Sequence, residues 1–405
     1  MSRRDPPMTS ETARPKIPLG RVLALGGLST FGPLSLDLYL PALPRLTADL
    51  GTTEALGQAS MSVCMIGLAV GQLLVGPFSD RIGRRRPLLV GVALYAVTSL
   101  LCAFAPTIEA LLVLRLIGGL AGAVGLVVSR AMVRDLYSGD AAARAFALLM
   151  VVGGMAPVIA PVLGSQLLRI TDWRGLFVAL ALIGAVLLLA ALTQRETLPP
   201  ARRRAGGFAD TSRALAGVLR DRTFLVPTLI LALVCCGMFV YIAMGSYVLQ
   251  GAPYALGAQA YGIVFAVNAV GIALASRLSA ALVRRIGAPR TLVVAVAVSV
   301  TGGATLLLGV LLTDSVWAVL PPLFLVVSSV GIVAPNATAL ALAGQGDAAG
   351  SASALLGLTQ FAFGAVVPPL VSLGGVSALR MAVTILAVGV AGGLACLGLR
   401  ARAAA

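Results

Sequence analysis

Residues 87–106 read PLLVGVALYAVTSLLCAFAP, without one charged side chain. About 20 predominantly apolar residues are the length that an α-helix needs to cross the hydrocarbon core of a bilayer. A backbone in lipid must satisfy its own hydrogen bonds, and the stretch lacks the alternation of a barrel strand, so it predicts a transmembrane helix. Eleven further apolar runs predict an all-α membrane protein with twelve transmembrane helices. The predicted helices span residues 21–43, 58–79, 87–106, 109–131, 144–168, 175–193, 224–247, 258–282, 290–312, 316–339, 350–374 and 378–399.

The composition excludes several other classes of protein. Of the 405 residues 59% are hydrophobic and 11% charged, whereas soluble domains carry about 25% charged residues. The net charge is +15, but the arginines lie in short clusters between apolar runs, which argues against nucleic-acid binding. The chain has no histidine, no GxxxxGK[ST] loop and no HExxH motif, so it lacks the parts of an ATPase or a zinc hydrolase. We therefore predict neither an enzyme nor a metal site nor a cofactor.

The basic residues predict the orientation in the membrane. With a cytoplasmic amino terminus, 24 of the 30 basic residues, Arg130 and Arg134 among them, fall in predicted cytoplasmic segments. Four fall outside, and Arg115 and Arg277 remain in the membrane. This asymmetry follows the positive-inside rule, so both termini are predicted to be cytoplasmic, in a bacterial inner (plasma) membrane.

The chain divides into two similar halves. Residues 77–90 read PFSDRIGRRRPLLV and residues 281–294 read ALVRRIGAPRTLVV, each between the second and third helix of its half. Internal duplication is typical of secondary transporters. The predicted domains are a disordered cytoplasmic tail (1–20), an N-terminal six-helix bundle (21–193), a cytoplasmic linker (194–223), a C-terminal six-helix bundle (224–399) and a second tail (400–405).

Asp37 is the only acidic residue in the interior of the twelve runs, within LDLYLPALP at residues 36–44. A carboxylate is costly in lipid and usually faces a cavity or a partner, and loss of water favours its protonated form. Pro41 cannot donate a hydrogen bond to the backbone carbonyl of Asp37. Two interpretations stay open: a coupling or substrate-binding group, or a charge hydrated near the outer interface.

A second cluster lies in GPFSDRIGRRRPLL at residues 76–89, where Asp80 and four arginines occupy a very short turn. Gly83 permits the tight backbone of such a turn. By composition alone the cluster is a topology signal, and opposite charges in it can pair with each other and with helix ends.

These motifs together resemble the major facilitator superfamily, and most closely its drug/proton antiporters of the bicyclomycin-resistance and chloramphenicol-resistance group. Further stretches that carry the resemblance are LRLIGGLAGA at 114–123, VRDLY at 133–137, APVIAPVLG at 156–164, DWRGLF at 172–177, ETLPP at 196–200, VRRIG at 283–287 and GSASALLGLTQF at 350–361. The resemblance implies a proton-coupling role for Asp37 with Arg115 of the fourth helix. It implies a conformational switch at Gly76, Asp80, Arg81, Gly83 and Arg84, in which Asp80 and Arg81 lock cytoplasmic helix ends. It also implies an antiporter motif in helix five at Gly153, Pro157, Pro161 and Gly164.

Arg115 is also informative by itself. Its guanidinium stays charged when buried and needs an anionic or carbonyl partner. Coupling to Asp37 is one interpretation, and capping of backbone carbonyls or snorkelling is the other. The candidates for substrate binding are the polar or aromatic residues inside helices, and each of them equally fits helix packing. They are Asp37, Gln72, Tyr241, Asn268, Asn336, Gln360 and Phe361.

The sequence therefore predicts efflux of small amphipathic drug-like molecules by alternating access, powered by the proton gradient. The protein is expected to act as a monomer, with protons, its substrate and the lipid bilayer as its partners. With a single intramembrane acid, one proton per cycle is expected, with a neutral or singly charged substrate. The alternative is a proton-coupled transporter of a natural metabolite such as an amino acid or a sugar.

Overall fold

The computed structural model describes residues 19–203, 217–345 and 349–403, and within them it contains helices and no strand. The rest of the predicted tails and linker (1–18, 204–216, 404–405) lies outside the described residues. The α-helices are α1 Leu19–Leu28, α2 Phe31–Asp37, α3 Leu43–Asp49, α4 Glu54–Ile82, α5 Arg85–Ala103, α6 Ile108–Leu136, α7 Gly139–Leu167, α8 Trp173–Leu192, α9 Arg222–Gln250, α10 Ala258–Ile286, α11 Ala288–Leu312, α12 Leu320–Leu342, α13 Ala349–Ser372 and α14 Ala378–Ala403. Short 3-10 turns cover Leu40–Ala42, Pro200–Arg202 and Val316–Ala318.

The prediction of an all-α membrane protein is confirmed. In the described chain, eleven helices are long and apolar enough to span a membrane, and a bent pair, Gly20–Leu28 with Phe31–Asp49, makes up to twelve. The ends differ from the predicted ends by a few residues, because polar residues at the interface continue a helix that the apolar run began. The last helix, for example, extends to Ala403, beyond the predicted end at residue 399.

The first predicted span, 21–43, is a bent pair of helices. The chain bends by 46° between α1 and α2. At the break the hydroxyls of Ser29 and Thr30 bond back to the carbonyls of Gly26 and Gly27, at 2.6 and 2.7 Å. Such local bonds compete with the helical ladder. Pro41 then lies in a 3-10 turn after α2, which ends at Asp37.

The repeated RIG sequence has the same local structure in both halves. Gly83 follows α4 with φ of 100°, and Gly287 follows α10 with φ of 79°. A side chain rarely adopts this left-handed backbone, so glycine ends both helices and turns the chain directly into the next one. The duplication seen in the sequence therefore extends to the backbone.

Helices α1–α8 form one half and α9–α14 the other, and the halves meet where α4 packs on α13 and α7 packs on α10. Six hydrogen bonds join the halves in the described chain. They all lie near the ends of the helices remote from the Arg84 turn, which we call the closed end; the end with Arg84, Tyr137 and Leu342 is the linker end. The bonds are Thr47–Tyr247, Ser246–Leu40, Gln250–Pro41, Gln259–Ser165, Ser372–Gln58 and Val376–Glu54.

Candidate functional site

A cavity of about 760 Å³ lies between the two halves. Its lining is largely apolar and runs from Asp37 at its inner end to Arg130, Leu342 and Ser353 toward the linker end. No hydrogen bond between described residues joins the halves there, whereas six close the other end. The cavity is thus a deep amphipathic pocket that extends from Asp37 to the linker end, of the kind that binds small molecules.

Asp37 lies in this cavity, at the last residue of α2. It is 6% exposed, and its carboxyl group makes no hydrogen bond or ion pair with any described residue. A buried carboxylate normally has a partner, and without one its protonated form is favoured. The position therefore suits a group that exchanges a proton or pairs with a ligand.

Arg115 bonds to other groups than Asp37. Its guanidinium donates to the Ser35 hydroxyl and carbonyl at 2.9 and 2.8 Å, and to the Ser60 carbonyl at 3.3 Å. It also stacks 4.6 Å from the centre of the Tyr39 ring. Of the two interpretations, the structure matches the capping of carbonyls. Because Ser35 is two residues before Asp37, Arg115 holds the segment that carries Asp37 against α4 and α6.

Most of the predicted substrate-binding residues line the cavity: Gln72, Tyr241, Asn268, Gln360 and Phe361. The Asn268 amide donates to the Tyr241 hydroxyl at 2.9 Å, and the Gln360 amide donates to Cys235 Sγ at 3.3 Å. The Nε2 group of Gln72 is buried and has no hydrogen-bond partner in the described chain.

Asn336 is the exception among these candidates. It is 3% exposed and lies outside the cavity lining. Its amide donates to the Ser279 hydroxyl and to the Ile332 carbonyl, both at 2.7 Å. It therefore ties α12 to α10, as its alternative interpretation of helix packing predicts.

The predicted switch motif forms a polar network at the linker end, but around Arg84 rather than Arg81. Arg84 pairs with Asp80 at 2.5 Å and with Asp135 of α6 at 3.0 Å, and it donates to Ser79. Arg81 is exposed and makes no bond with the described residues, and a Cβ atom at Gly76 would meet nothing within 4 Å. The arrangement joins the ends of α4 and α6.

Glu196, from the ETLPP stretch, completes this network. It accepts hydrogen bonds from the backbone N–H groups of Arg84 and Arg85 at 2.8 and 3.2 Å. It also accepts from those of Thr197 and Leu198, both at 3.0 Å. Burial alone would raise the pKa of the Glu196 carboxyl, but these four donors together outweigh it and hold the pKa below its usual value. Glu196 and Asp135 were not predicted as site residues, and in the sequence only their place in the ETLPP and VRDLY stretches marks them.

The residues of the helix-five motif lie on α7, between the cavity, the broken first helix and α10. Gly153 and Pro157 line the cavity, and α7 runs through both prolines without interruption. A Cβ atom at Gly164 would collide with the carbonyl of Leu38, so glycine lets α7 approach the broken first helix. Pro161 lies one turn away, where α7 packs against α10.

Arg130 lines the cavity although its place near the end of α6 groups it with the cytoplasmic charges in the sequence. It lies within α6, lines the cavity, and makes no hydrogen bond or ion pair with the described residues. The spacing of Arg115, Gly119, Gly122, Leu126 and Arg130 is four, three, four and four, which places all five on one face of a helix. That periodicity was the available signal.

Comparison with known proteins agrees with this architecture. A model of the Major Facilitator Superfamily matches residues 24–369. An uncharacterized MFS-type transporter, YdgK, of Bacillus subtilis is 35% identical over 384 residues, which is 94% of this chain and 95% of that protein. A bicyclomycin resistance protein homolog of Haemophilus influenzae is 29% identical and covers 87% of this chain and 88% of its own.

Solved structures share the fold as well. The crystal structure of the nucleoside transporter NupG superposes with a TM-score of 0.73, at 14% identity, over 95% of this chain and 99% of that one. At this identity the likeness concerns the fold alone.

Proposed function

The chain belongs to the major facilitator superfamily, and from this premise we propose that it exports small amphipathic drug-like molecules in exchange for protons. The observation that carries the proposal is the Asp37 carboxyl group, which lies without a protein partner in an amphipathic cavity. A similarity to a bicyclomycin resistance protein homolog supports a drug-like substrate.

The orientation follows from the positive-inside rule, which puts the linker end and both termini in the cytoplasm of a bacterial inner membrane. The cavity then opens to the cytoplasm and is closed on the outer side. In alternating access the two halves rock about the cavity, so that substrate binds from inside and leaves outside. The Arg84 network holds α4 and α6 together while their half moves, and the six bonds at the closed end break as the outer side opens.

Coupling requires that proton and substrate exclude each other at Asp37. On the outer side Asp37 takes up a proton and the substrate leaves. On the inner side the proton is released as the next substrate binds. Arg115 keeps the Asp37 segment in place through Ser35 without neutralising the carboxylate. With this single carboxyl in the described cavity, one proton exchanges for each substrate molecule, and a monomer suffices.

The test is proton movement in everted membrane vesicles, with chloramphenicol and bicyclomycin as substrates. Addition of drug to energised vesicles that contain the intact protein is expected to release protons, and Asp37→Asn is expected to abolish this release. Glu109→Gln is the matched control, because Glu109 is an exposed carboxylate at the start of α6. Drug-driven proton movement that persists in Asp37→Asn would show that another group couples transport.

A further inference from the structure

The cavity holds two unpaired charges of opposite sign. Asp37 lies at the end of the cavity nearer the closed end, and Arg130 lies toward the linker end. Neither side chain has a hydrogen bond or ion pair with a described residue. The two buried arginines of the described chain, Arg115 and Arg84, have their donors occupied by protein groups, whereas Arg130 is exposed at the wall of the cavity. Arg130 is thus a free guanidinium in the proposed binding site.

The two charges lie far apart along the cavity. The bond from Arg115 to Ser35 puts residue 115 of α6 at nearly the depth of Asp37. Arg130 follows 15 residues later, which corresponds to about 22 Å of helix rise between α-carbons. Helix side chains incline toward the helix N-terminus, here toward Asp37, so the guanidinium lies nearer to the carboxylate than its α-carbon does.

From this geometry we propose that Arg130 is a specificity-determining residue and that the cavity selects elongated amphipathic zwitterions, with the amine directed to Asp37 and the acidic group to Arg130. The inference rests on the proposed export function and names its substrate class. A guanidinium binds a carboxylate through two parallel hydrogen bonds, and both charges are worth more in a largely apolar cavity than in water.

The assignment agrees with proton exchange. The ammonium group of a zwitterion competes with the proton for Asp37, so protonation weakens substrate binding. Protonation of Asp37 would strengthen the binding of an acid without an amine, because it removes the negative charge that repels the acid. A ligand that carries both an ammonium and an acidic group therefore pairs with Asp37 and Arg130, and its ammonium group still competes with the proton for Asp37.

Norfloxacin is a suitable fluorescent probe, because its piperazine nitrogen and its carboxylate lie at opposite ends of a flat aromatic body. Its ethyl ester keeps only the cation, and its N-acetyl derivative keeps only the anion. Binding of the three compounds to the full chain in lipid nanodiscs is measured for the intact protein, Arg130→Gln and Asp37→Asn. Arg134→Gln is the control, one turn further on α6, exposed and outside the cavity lining.

In Arg130→Gln, binding of norfloxacin and of the N-acetyl derivative is expected to weaken about tenfold or more, while the ester binds as before. In Asp37→Asn, binding of the ester and of norfloxacin is expected to weaken, while binding of the N-acetyl derivative is not. Equal weakening of all three compounds in Arg130→Gln, or no weakening, overturns the proposal. Chloramphenicol, which carries neither charge, tests proton exchange separately. If the intact protein exports chloramphenicol in exchange for protons but Arg130→Gln binds all three norfloxacin compounds as the intact protein does, the proposed substrate class is wrong and the proposed export function stands.

Discussion

The hydroxyl of Tyr247 lies 2.7 Å from the hydroxyl of Thr47 and joins α9 to α3 across the closed end. Both groups are buried, so the bond exists only while the two halves are in contact there. Loss of one buried hydrogen bond costs about 0.5–1.5 kcal/mol. We therefore expect Tyr247→Phe to shift the population several-fold toward a state that is open at this end.

Electron–electron distance measurements between spin labels in the α3–α4 and α9–α10 loops check this expectation in nanodiscs. Tyr254→Phe is the control, since Tyr254 lies in the α9–α10 loop and makes no hydrogen bond with the described residues. Identical distance distributions for Tyr247→Phe and Tyr254→Phe would show that the Thr47 bond does not stabilise the closed end.

Arg115→Lys is expected to lower both stability and transport. A lysine ammonium cannot reach the Ser35 hydroxyl, the Ser35 carbonyl and the Ser60 carbonyl together as the guanidinium does. A hydrogen bond to a charged group contributes about 1.5–3 kcal/mol, so the unfolding temperature in nanodiscs should fall clearly. Arg134→Lys makes the same exchange at an exposed site of the same helix, and equal unfolding temperatures for the two variants would contradict the prediction.

The partners of Arg115 illustrate what the sequence could and could not predict. The twelve spans were predictable because the bilayer dictates their length and polarity. The break at Ser29 and Thr30 was not, because it depends on side-chain bonds to the backbone that compete with a good apolar run. Since α2 ends at Asp37, the Ser35 carbonyl lies in its last turn, where helix carbonyls lack partners, and it becomes the acceptor for Arg115.

The candidate site was predictable in part for a similar reason. A polar residue in an apolar run is visible in the sequence, but the sequence does not show whether its side chain faces the cavity or a neighbouring helix. Asn268 and Asn336 therefore could not be distinguished. Arg130 was hidden because a count of charges per segment treats an arginine near a helix end as a loop residue. The helical spacing from Arg115 shows instead that it continues the face that carries Leu126.

Glu196 predicts a pH dependence at the linker end. Its pKa is lowered in the folded protein, so its contribution to stability is fully present above the unfolded value, about 4.3, and is lost as the pH falls through the folded value. Glu196→Ala is expected to speed amide hydrogen exchange at Arg84 and Arg85 at pH 7. The difference in unfolding temperature from the intact protein should shrink below about pH 4.

Glu109→Gln is the control for the amide exchange, because Glu109 lies at the far end of α6 from Asp135, the partner of Arg84. Unchanged exchange at the Arg84 and Arg85 amides in Glu196→Ala would contradict the role of the carboxylate. A stability difference that stayed constant down to pH 3 would contradict its protonation as the cause.

Two buried asparagines provide the last prediction, because they differ mainly in what they face. Asn268 lines the cavity, whereas Asn336 bonds to Ser279 between α10 and α12. Asn336→Leu leaves the Ser279 hydroxyl without its partner, which costs about 1–3 kcal/mol, so it should lower the unfolding temperature and leave the dissociation constant for chloramphenicol within about twofold. Asn268→Leu should weaken chloramphenicol binding by roughly threefold or more, because it removes a polar group from the site. Unfolding temperature and binding, measured on both variants in nanodiscs, separate the two roles, and a larger loss of binding in Asn336→Leu would reverse the assignment.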